Sequence, residues 1–398
     1  RMICTSRLAV ARVQRQMSAA VMSSAAAGAP LSSVETPALV LNLRAHDRNA
    51  EAMVASLSSQ QVFVRPHAKA HKCAELALRQ KQLLGSLFSG VCAQTVLEAE
   101  VMSGVGDVLV TNECVTPGKI ARVVELAASA TAKVSVLCDS AANARALSAA
   151  ATTAGATIHV LVEADVGQGR CGVDTPEEAV ALAREISGLA GLEYAGLHAY
   201  HGGLQHVRGA GDRAAESAAM AAKARAVVEA LSAAGLAPAT VTGGGTGDYL
   251  AVAASGLYTE VQPGSFFFGD VDYSSNEWDA GAEEGVPFEQ SLFILTTVVS
   301  ASEKRRVAIV DAGLKALSLD SGPPAVHNRP ELSYRSGGDE HGILDVPEGT
   351  PVPAVGDVLR LVPGHIDPTM NMHDHIIATE DDVSVHAVWR VAARGAGV

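Results

Sequence analysis

Short runs rich in β-branched and other apolar residues recur along the chain, at 61–66, 86–92, 107–112, 133–138, 157–164, 193–200, 238–243 and 257–262. They predict strands. Between them lie Ala/Leu/Glu-rich stretches such as 95–104, 117–130, 141–154, 175–189 and 210–235, which predict helices. Eight strands alternating with helices imply parallel pairing, and the number matches an α/β fold of the TIM-like (β/α)8 barrel type. A doubly wound open sheet is the alternative, but nothing at the first turn resembles GxGxxG. Past about residue 285 the pattern changes to "SLFILTTVVSA", "RVAIVDAG", "DVLRLVPG" and "VSVHAVWRVAA", strands separated by Gly, Pro and Asp turns. The segment "TPALVLNL" (36–43) predicts a further strand that joins them. The expected organisation is residues 29–44 as an N-terminal strand of the β domain, 45–280 as the barrel and 281–398 as a C-terminal β domain.

Composition narrows the partners. The 398 residues carry 30 Lys+Arg against 43 Asp+Glu, a formal charge of −13, and 48% are hydrophobic. An acidic chain is a poor match for nucleic acid or an anionic membrane, and no run approaches the roughly 18 apolar residues of a membrane span. Residues 1–28 differ: they hold Arg1, Arg7, Arg12 and Arg15, several Ser and Ala, and no acid. This is transit-peptide composition, which predicts delivery to a chloroplast or mitochondrion; a tail without a targeting role on a cytoplasmic protein is the alternative. Without that segment the remainder has 26 basic and 43 acidic residues, a formal −17. The six cysteines are scattered with no CxxC, which fits structural thiols in a reducing compartment.

In a barrel the catalytic groups project from the carboxyl ends of the strands. Here those ends read HAKAHK, CAQT, TNE, CDS, EADVGQGR, HAYHGG, GGGTGD and QPGSFFFGD, polar and glycine-rich where the strand bodies are apolar. The first is the most unusual, because "RPHAKAHK" (65–72) sets five cationic groups in eight residues of an acidic chain. Strand alternation would put Val62, Val64 and Ala68 on one face and Arg65, His67 and Lys69 on the other, pointing into the barrel mouth. Crowded positive charge disfavours the ammonium form of Lys69, as a Schiff-base nucleophile requires; a lysine paired with an acid is the other reading.

After the seventh strand, "TGGGTGDY" (242–249) offers backbone N–H groups from Gly243, Gly244, Gly245 and Thr246. The eighth strand ends in "QPGS", adding Gly264 and Ser265. Glycine runs also make plain tight turns, but barrels often hold phosphate in the loops after strands 7 and 8. A lysine at strand 1 with a phosphate cup at strands 7 and 8 implies pyridoxal phosphate.

These residues resemble the fold-type III pyridoxal-phosphate enzymes, the class that includes alanine racemase, and more closely their D-threonine aldolase and D-serine dehydratase branch. The likeness runs from about residue 34 to 392 through "VETPALVLNL", "RPHAKAHK", "GRCGV", "AYHGG", "GGGTGDY", "QPGSFFFGD", "DAGLKALSLD" and "PGHIDPTMN". Ala70 stands where Thr or Met is the family's choice. The resemblance implies that Lys69 anchors the cofactor covalently. It implies that His67, Arg170 and Tyr200 line the cofactor, Arg170 on its phenolic side, and that His201 is catalytic. A buried structural histidine is the ordinary alternative for His201.

"PGHIDPTMNMHDHIIA" (363–378) holds His365, Asp367, His373, Asp374 and His375. If 364–368 is extended, His365 and Asp367 share a face within reach of one ion. The resemblance implies that this pair binds a divalent metal beside the cofactor, H-x-C with zinc marking the dehydratases and H-x-D the aldolases. An imidazole with a carboxylate suits Mn²⁺ or Mg²⁺. His373 and His375 are second-ranked ligands, outside the matching positions. The implied reaction is retro-aldol cleavage of D-threonine and related D-β-hydroxy-α-amino acids to glycine and an aldehyde, in a homodimer whose sites are completed by the partner's β domain through residues such as Asp311 and His341. Alternatives are a D-serine dehydratase and a non-catalytic pyridoxal-phosphate protein. A racemase has no use for the metal motif.

Overall fold

The computed structural model describes residues 26–129, 133–278 and 287–395. The arginine-rich segment read as a transit peptide lies, up to residue 25, outside the described residues. The chain forms two compact units, one of residues up to 46 with 290–391, the other centred on 47–289.

In the larger unit a strand forms at each of the eight anticipated runs, most of them shorter than the run that encodes it. They are β2 (Phe63–Val64), β3 (Val91–Ala93), β4 (Val108–Glu113), β5 (Val134–Cys138), β6 (Ile158–Glu163), β7 (Leu192–His198), β8 (Thr240–Gly243) and β9 (Glu260–Val261), following β1 (Ala38–Asn42) of the other unit. All neighbours pair in parallel, in the order β2-β9-β8-β7-β6-β5-β4-β3. Isolated parallel bridges Val64–Phe88 and His67–Cys92 then link the two ends of that order into a ring. Cys92, Leu109, Leu137, Leu161 and Ala195, from β3 to β7, form one buried cluster, the packed layer that fills such a barrel.

Helices connect the strands, among them Ala74–Leu84, Val96–Met102, Pro117–Ser129, Ala141–Ala154, Pro176–Gly188 and Ala210–Ala233. The start of Pro176–Gly188 is written locally. Thr175 accepts from the Glu178 amide while the Glu178 carboxylate takes the Thr175 amide, with Pro176 in the first turn. No described helix is long and apolar enough to cross a membrane.

The smaller unit is a nine-stranded sheet. Its members include β1, β10 (Leu292–Ser302), β11 (Val307–Val310), β12 (Ala325–Val326), β13 (Ser333–Ser336), β14 (Gly342–Asp345), β15 (Val358–Val362), β16 (His375–Thr379) and β17 (Ala387–Arg390). As the sequence suggested, "TPALVLNL" contributes a strand: β1 pairs antiparallel with β10 and parallel with β16. Buried Val40, Leu295 and Ile377 from these three strands pack together. Asp311 is held within its own unit by three hydrogen bonds. Its oxygens accept from Thr36 Oγ1 (2.5 Å), Thr296 Oγ1 (2.7 Å) and the Thr297 amide (3.0 Å). His341 is exposed.

Candidate active site

The basic knot is dismantled by folding. After Val64 the chain leaves strand geometry and enters a 3-10 turn at Ala68–Ala70, so alternation does not extend to Lys69. Arg65 does not face the mouth. Its Nε pairs with Glu260 at 2.8 Å and Nη1 reaches the Asp107 carbonyl, both at the amino ends of strands. Ser89 caps the second Glu260 oxygen at 2.8 Å, and the group borders a polar cavity of about 270 Å³ on that opposite face of the barrel.

The other cations are committed too. Lys72 pairs with buried Glu98 at 2.8 Å. His71 Nδ1 accepts the Cys73 amide (3.2 Å), and His67 Nδ1 accepts that of Lys69 (3.4 Å), which leaves the His67 proton on Nε2 for Thr111 Oγ1 at 3.0 Å. Crowded positive charge is therefore not what prepares Lys69. Its position is: the half-buried lysine sits on a turn at the carboxyl end of β2, directly against the loop that follows β9.

That loop is pressed onto the lysine turn. The His67 amide donates to Pro263 O (3.2 Å), and a Cβ on Gly264 would stand 2.8 Å from His67 O. Beside it runs the glycine loop after β8. Gly244 takes φ +71°, and a Cβ on Gly243 would lie 2.1 Å from Ala199 O. The expected cup is only partly open to a ligand. The Gly245 amide is taken by Asp248 Oδ1 (2.6 Å) and that of Gly247 by Gln205 Oε1 (2.6 Å), while Gln205 Nε2 also donates to Asp248 (2.8 Å). Burial pushes the Asp248 carboxyl up, against these hydrogen bonds. Among the described residues no protein acceptor takes the amides of Thr246, Gly264 or Ser265. Those three amides lie on two loops joined where the Thr246 hydroxyl accepts from the Phe266 amide (3.2 Å), a donor set that suits a phosphate group.

A second cluster lies at the ends of β4 to β7. Arg170 stands 5.9 Å from the Tyr200 ring centre and 3.9 Å from Glu163. Glu163, at the end of β6, is buried and also faces His198 Nδ1 at 3.7 Å, while His198 Nε2 meets Gln262 at 3.3 Å. Sequence reasoning missed this buried row, although the strand end "EADVGQGR" carried Glu163 in plain view. Burial, then the charge and hydrogen bond of Glu163, then Asp139 push the Glu113 carboxyl up to about 7. Burial would raise Glu163 as well, but His198, the Glu113 hydrogen bond and Arg170 bring it below its ordinary value. The pair therefore keeps its proton on Glu113. Glu113, Asp139 and Cys171 bring polar atoms within 4.8 Å of one another, and burial and the two glutamates push the Cys171 thiol up to about 11.

A pH signature follows. Because the folded-state pKa of Glu113 lies above its ordinary value, its contribution to stability is present at low pH and is lost as pH rises through about 7. Glu113→Gln should be more stable than the parent at pH 8.5 by about 1 kcal/mol, after allowance for solvent screening at a partly exposed site, with the gain gone at about pH 4. Urea unfolding at the two pH values measures it; an equal difference at both would contradict the assignment.

His201 begins the 3-10 turn Gly202–His206. Its ring lies between Gly167 and Gly203, whose added Cβ atoms would meet it at 3.2 and 2.9 Å, and its Nδ1 is buried with no partner among the described residues.

In the smaller unit, His365 and Asp367 do come together, by a different route from β alternation. Ile366–Met370 is a helical turn with His365 as its extended N-cap, so Asp367 reaches back from the first turn. His365 Nε2 stands 3.6 Å from Asp367 Oδ2, and Nδ1 stands 2.7 Å from Asp320 Oδ2. Burial opposes protonation of this imidazole, but Asp367 and Asp320 raise it to about 9. Two ligand atoms at about 2.1 Å from one ion, at 90–110°, are separated by roughly 3.0–3.4 Å, so the Nε2–Oδ2 gap accommodates a divalent cation with small adjustment. His373 Nε2 donates to Ala316 O at 2.7 Å, and His375 opens strand β16. Asp320 was not foreseen.

Known proteins place these features in one lineage. Residues 41–272 match the family described as alanine racemase, N-terminal domain, and 291–379 the putative serine dehydratase domain. A D-threonine aldolase of Arthrobacter sp is 46% identical over 92% of this chain and 95% of its own length. A D-threo-3-hydroxyaspartate dehydratase of Delftia sp. (strain HT23) is 28% identical over 84% of this chain and 91% of its own. The crystal structure of D-threonine aldolase from Filomicrobium marinum superposes with a TM-score of 0.88 at 40% identity, covering 94% of this chain and 99% of that one. The chain belongs to the alanine racemase-like, fold-type III family of pyridoxal-phosphate enzymes, on its D-threonine aldolase branch.

Proposed function

We propose that this chain is an aldehyde-lyase that cleaves D-threonine and related D-β-hydroxy-α-amino acids to glycine and an aldehyde. The observation that carries the reading over a dehydratase is the carboxylate of Asp367 at 3.6 Å from His365 Nε2, an oxygen ligand where the dehydratase pattern has a thiolate. Hard oxygen and imidazole donors favour Mn²⁺ or Mg²⁺. The higher identity to the aldolase than to the dehydratase supports the same choice.

Pyridoxal phosphate, when bound, supplies an electron sink for the charge left on Cα. A divalent ion on His365 and Asp367 supplies a Lewis acid for the β-oxygen. The protein's own part is positioning and proton transfer. Lys69 is the covalent anchor, and the amides of Thr246, Gly264 and Ser265 take the phosphate. Arg170 sets a fixed cation against Tyr200, with Glu163 beneath it. His201, whose Nδ1 has no protein partner among the described residues, accepts the β-hydroxyl proton. As that proton leaves, the O–H electrons form the aldehyde carbonyl and the Cα–Cβ pair stays on Cα, which is reprotonated to give glycine. Product analysis with D-threonine tests the proposal: glycine and acetaldehyde in equal amounts support it, and 2-oxobutanoate with ammonia would favour the dehydratase.

A further inference from the structure

We infer that Asp320 is a positioning residue for the metal centre: it holds His365 Nδ1 so that Nε2 is the nitrogen presented, together with Asp367, to the ion. The inference rests on the proposed metal site at His365 and Asp367.

The two distances around the imidazole differ in kind. At 2.7 Å, Nδ1 and Asp320 Oδ2 are at hydrogen-bond separation, closer than two ligand atoms on one ion can approach at about 2.1 Å bonds. The 3.6 Å gap on the Nε2 side is too long for a hydrogen bond and has room for an ion. A carboxylate on one nitrogen and a metal on the other is the arrangement that fixes the tautomer and ring orientation of a ligating histidine and raises its basicity.

The holder is built, not incidental. The loop that carries Asp320 is fastened to the segment that carries His365 at two places. A Cβ on Gly364 would lie 2.2 Å from Gly322 O, so the two backbones are in contact there. Buried Thr369 bridges them, its hydroxyl donating to His365 O (2.7 Å) and accepting the Ser318 amide (3.1 Å). The carboxylate is aimed in turn, since Ser318 Oγ donates to Asp320 Oδ1 at 2.7 Å and Ser321 Oγ to Oδ2 at 3.3 Å. Asp320 is the last residue of "DAGLKALSLD", a stretch that the metal ligands alone leave without a purpose.

The side chain of Asp320 is 48% exposed, so substitutions there should not disturb folding. The test is Mn²⁺ titration of cofactor-loaded, metal-stripped enzyme, read by the loss of the free-ion electron paramagnetic resonance signal. Asp320→Ala should weaken Mn²⁺ binding by about 10- to 100-fold. Asp320→Asn retains an oxygen that accepts from Nδ1–H and should lose about 3- to 10-fold, a partial rescue that a direct ligand would not show. Unchanged affinity in Asp320→Ala overturns the inference, and so does an equal, large loss in both variants, which would make Asp320 a ligand. Failure of the parent enzyme to bind Mn²⁺, or binding unaffected by Asp367→Asn, would instead overturn the metal site itself.

Discussion

Replacing Lys69 with alanine should reduce D-threonine cleavage by at least about 10³-fold, because the covalent anchor and its proton-carrying amine are both removed. The cofactor should still bind, more weakly, through the amides of Thr246, Gly264 and Ser265. Borohydride reduction of the parent, followed by peptide mapping, should leave the label on Lys69 alone, and the variant should take none. Lys72 is the nearest competitor in the sequence, but its side chain is already engaged by buried Glu98 at 2.8 Å. Label on Lys72, or full activity in Lys69→Ala, would remove the anchor assignment and with it the reason for placing the phosphate in the neighbouring loops.

Removing the metal should have an effect of the same order by a separate route. Chelation of the holoenzyme should abolish turnover while the cofactor remains bound, since His365 and Asp367 share no residue with the lysine turn or the glycine loops. Asp367→Asn keeps the shape but removes the anionic ligand, and should weaken metal binding by about 10-fold or more, with activity partly restored by excess Mn²⁺. Activity assays with and without chelator, beside the cofactor's absorbance, separate the two losses. Chelated enzyme that cleaves D-threonine at its full rate would make the ion structural and leave the β-hydroxyl to His201.

The barrel was legible because its code is local. Each apolar run and each intervening helix is written in consecutive residues, and the capping box at Thr175 and Glu178 marks one helix start directly. Of the proposed site, motif spacing singled out Lys69, His365 and Asp367, and the last two do come together, at 3.6 Å. What the sequence could not show was partnership across the chain. Arg65 turns to Glu260, 195 residues away, and so leaves the mouth that its neighbours in sequence occupy. Gly245 looked like a free phosphate donor until Asp248 took its amide. Asp320 meets His365 across 45 residues, a contact that only the folded sheet creates. The H-x-D pair was read correctly as a pair, but for a strand, whereas Pro368 and its neighbours wind a short helical turn.

The central claim is that the bond broken is Cα–Cβ and that Cα–H is left alone. Cleavage of D-threonine carrying deuterium at Cα tests it most directly. The account predicts glycine that retains the deuterium, together with acetaldehyde and unexchanged residual substrate. Loss of the label to solvent, from product or from remaining substrate, would show that Cα–H breaks first, as in a dehydratase or racemase, and would contradict it.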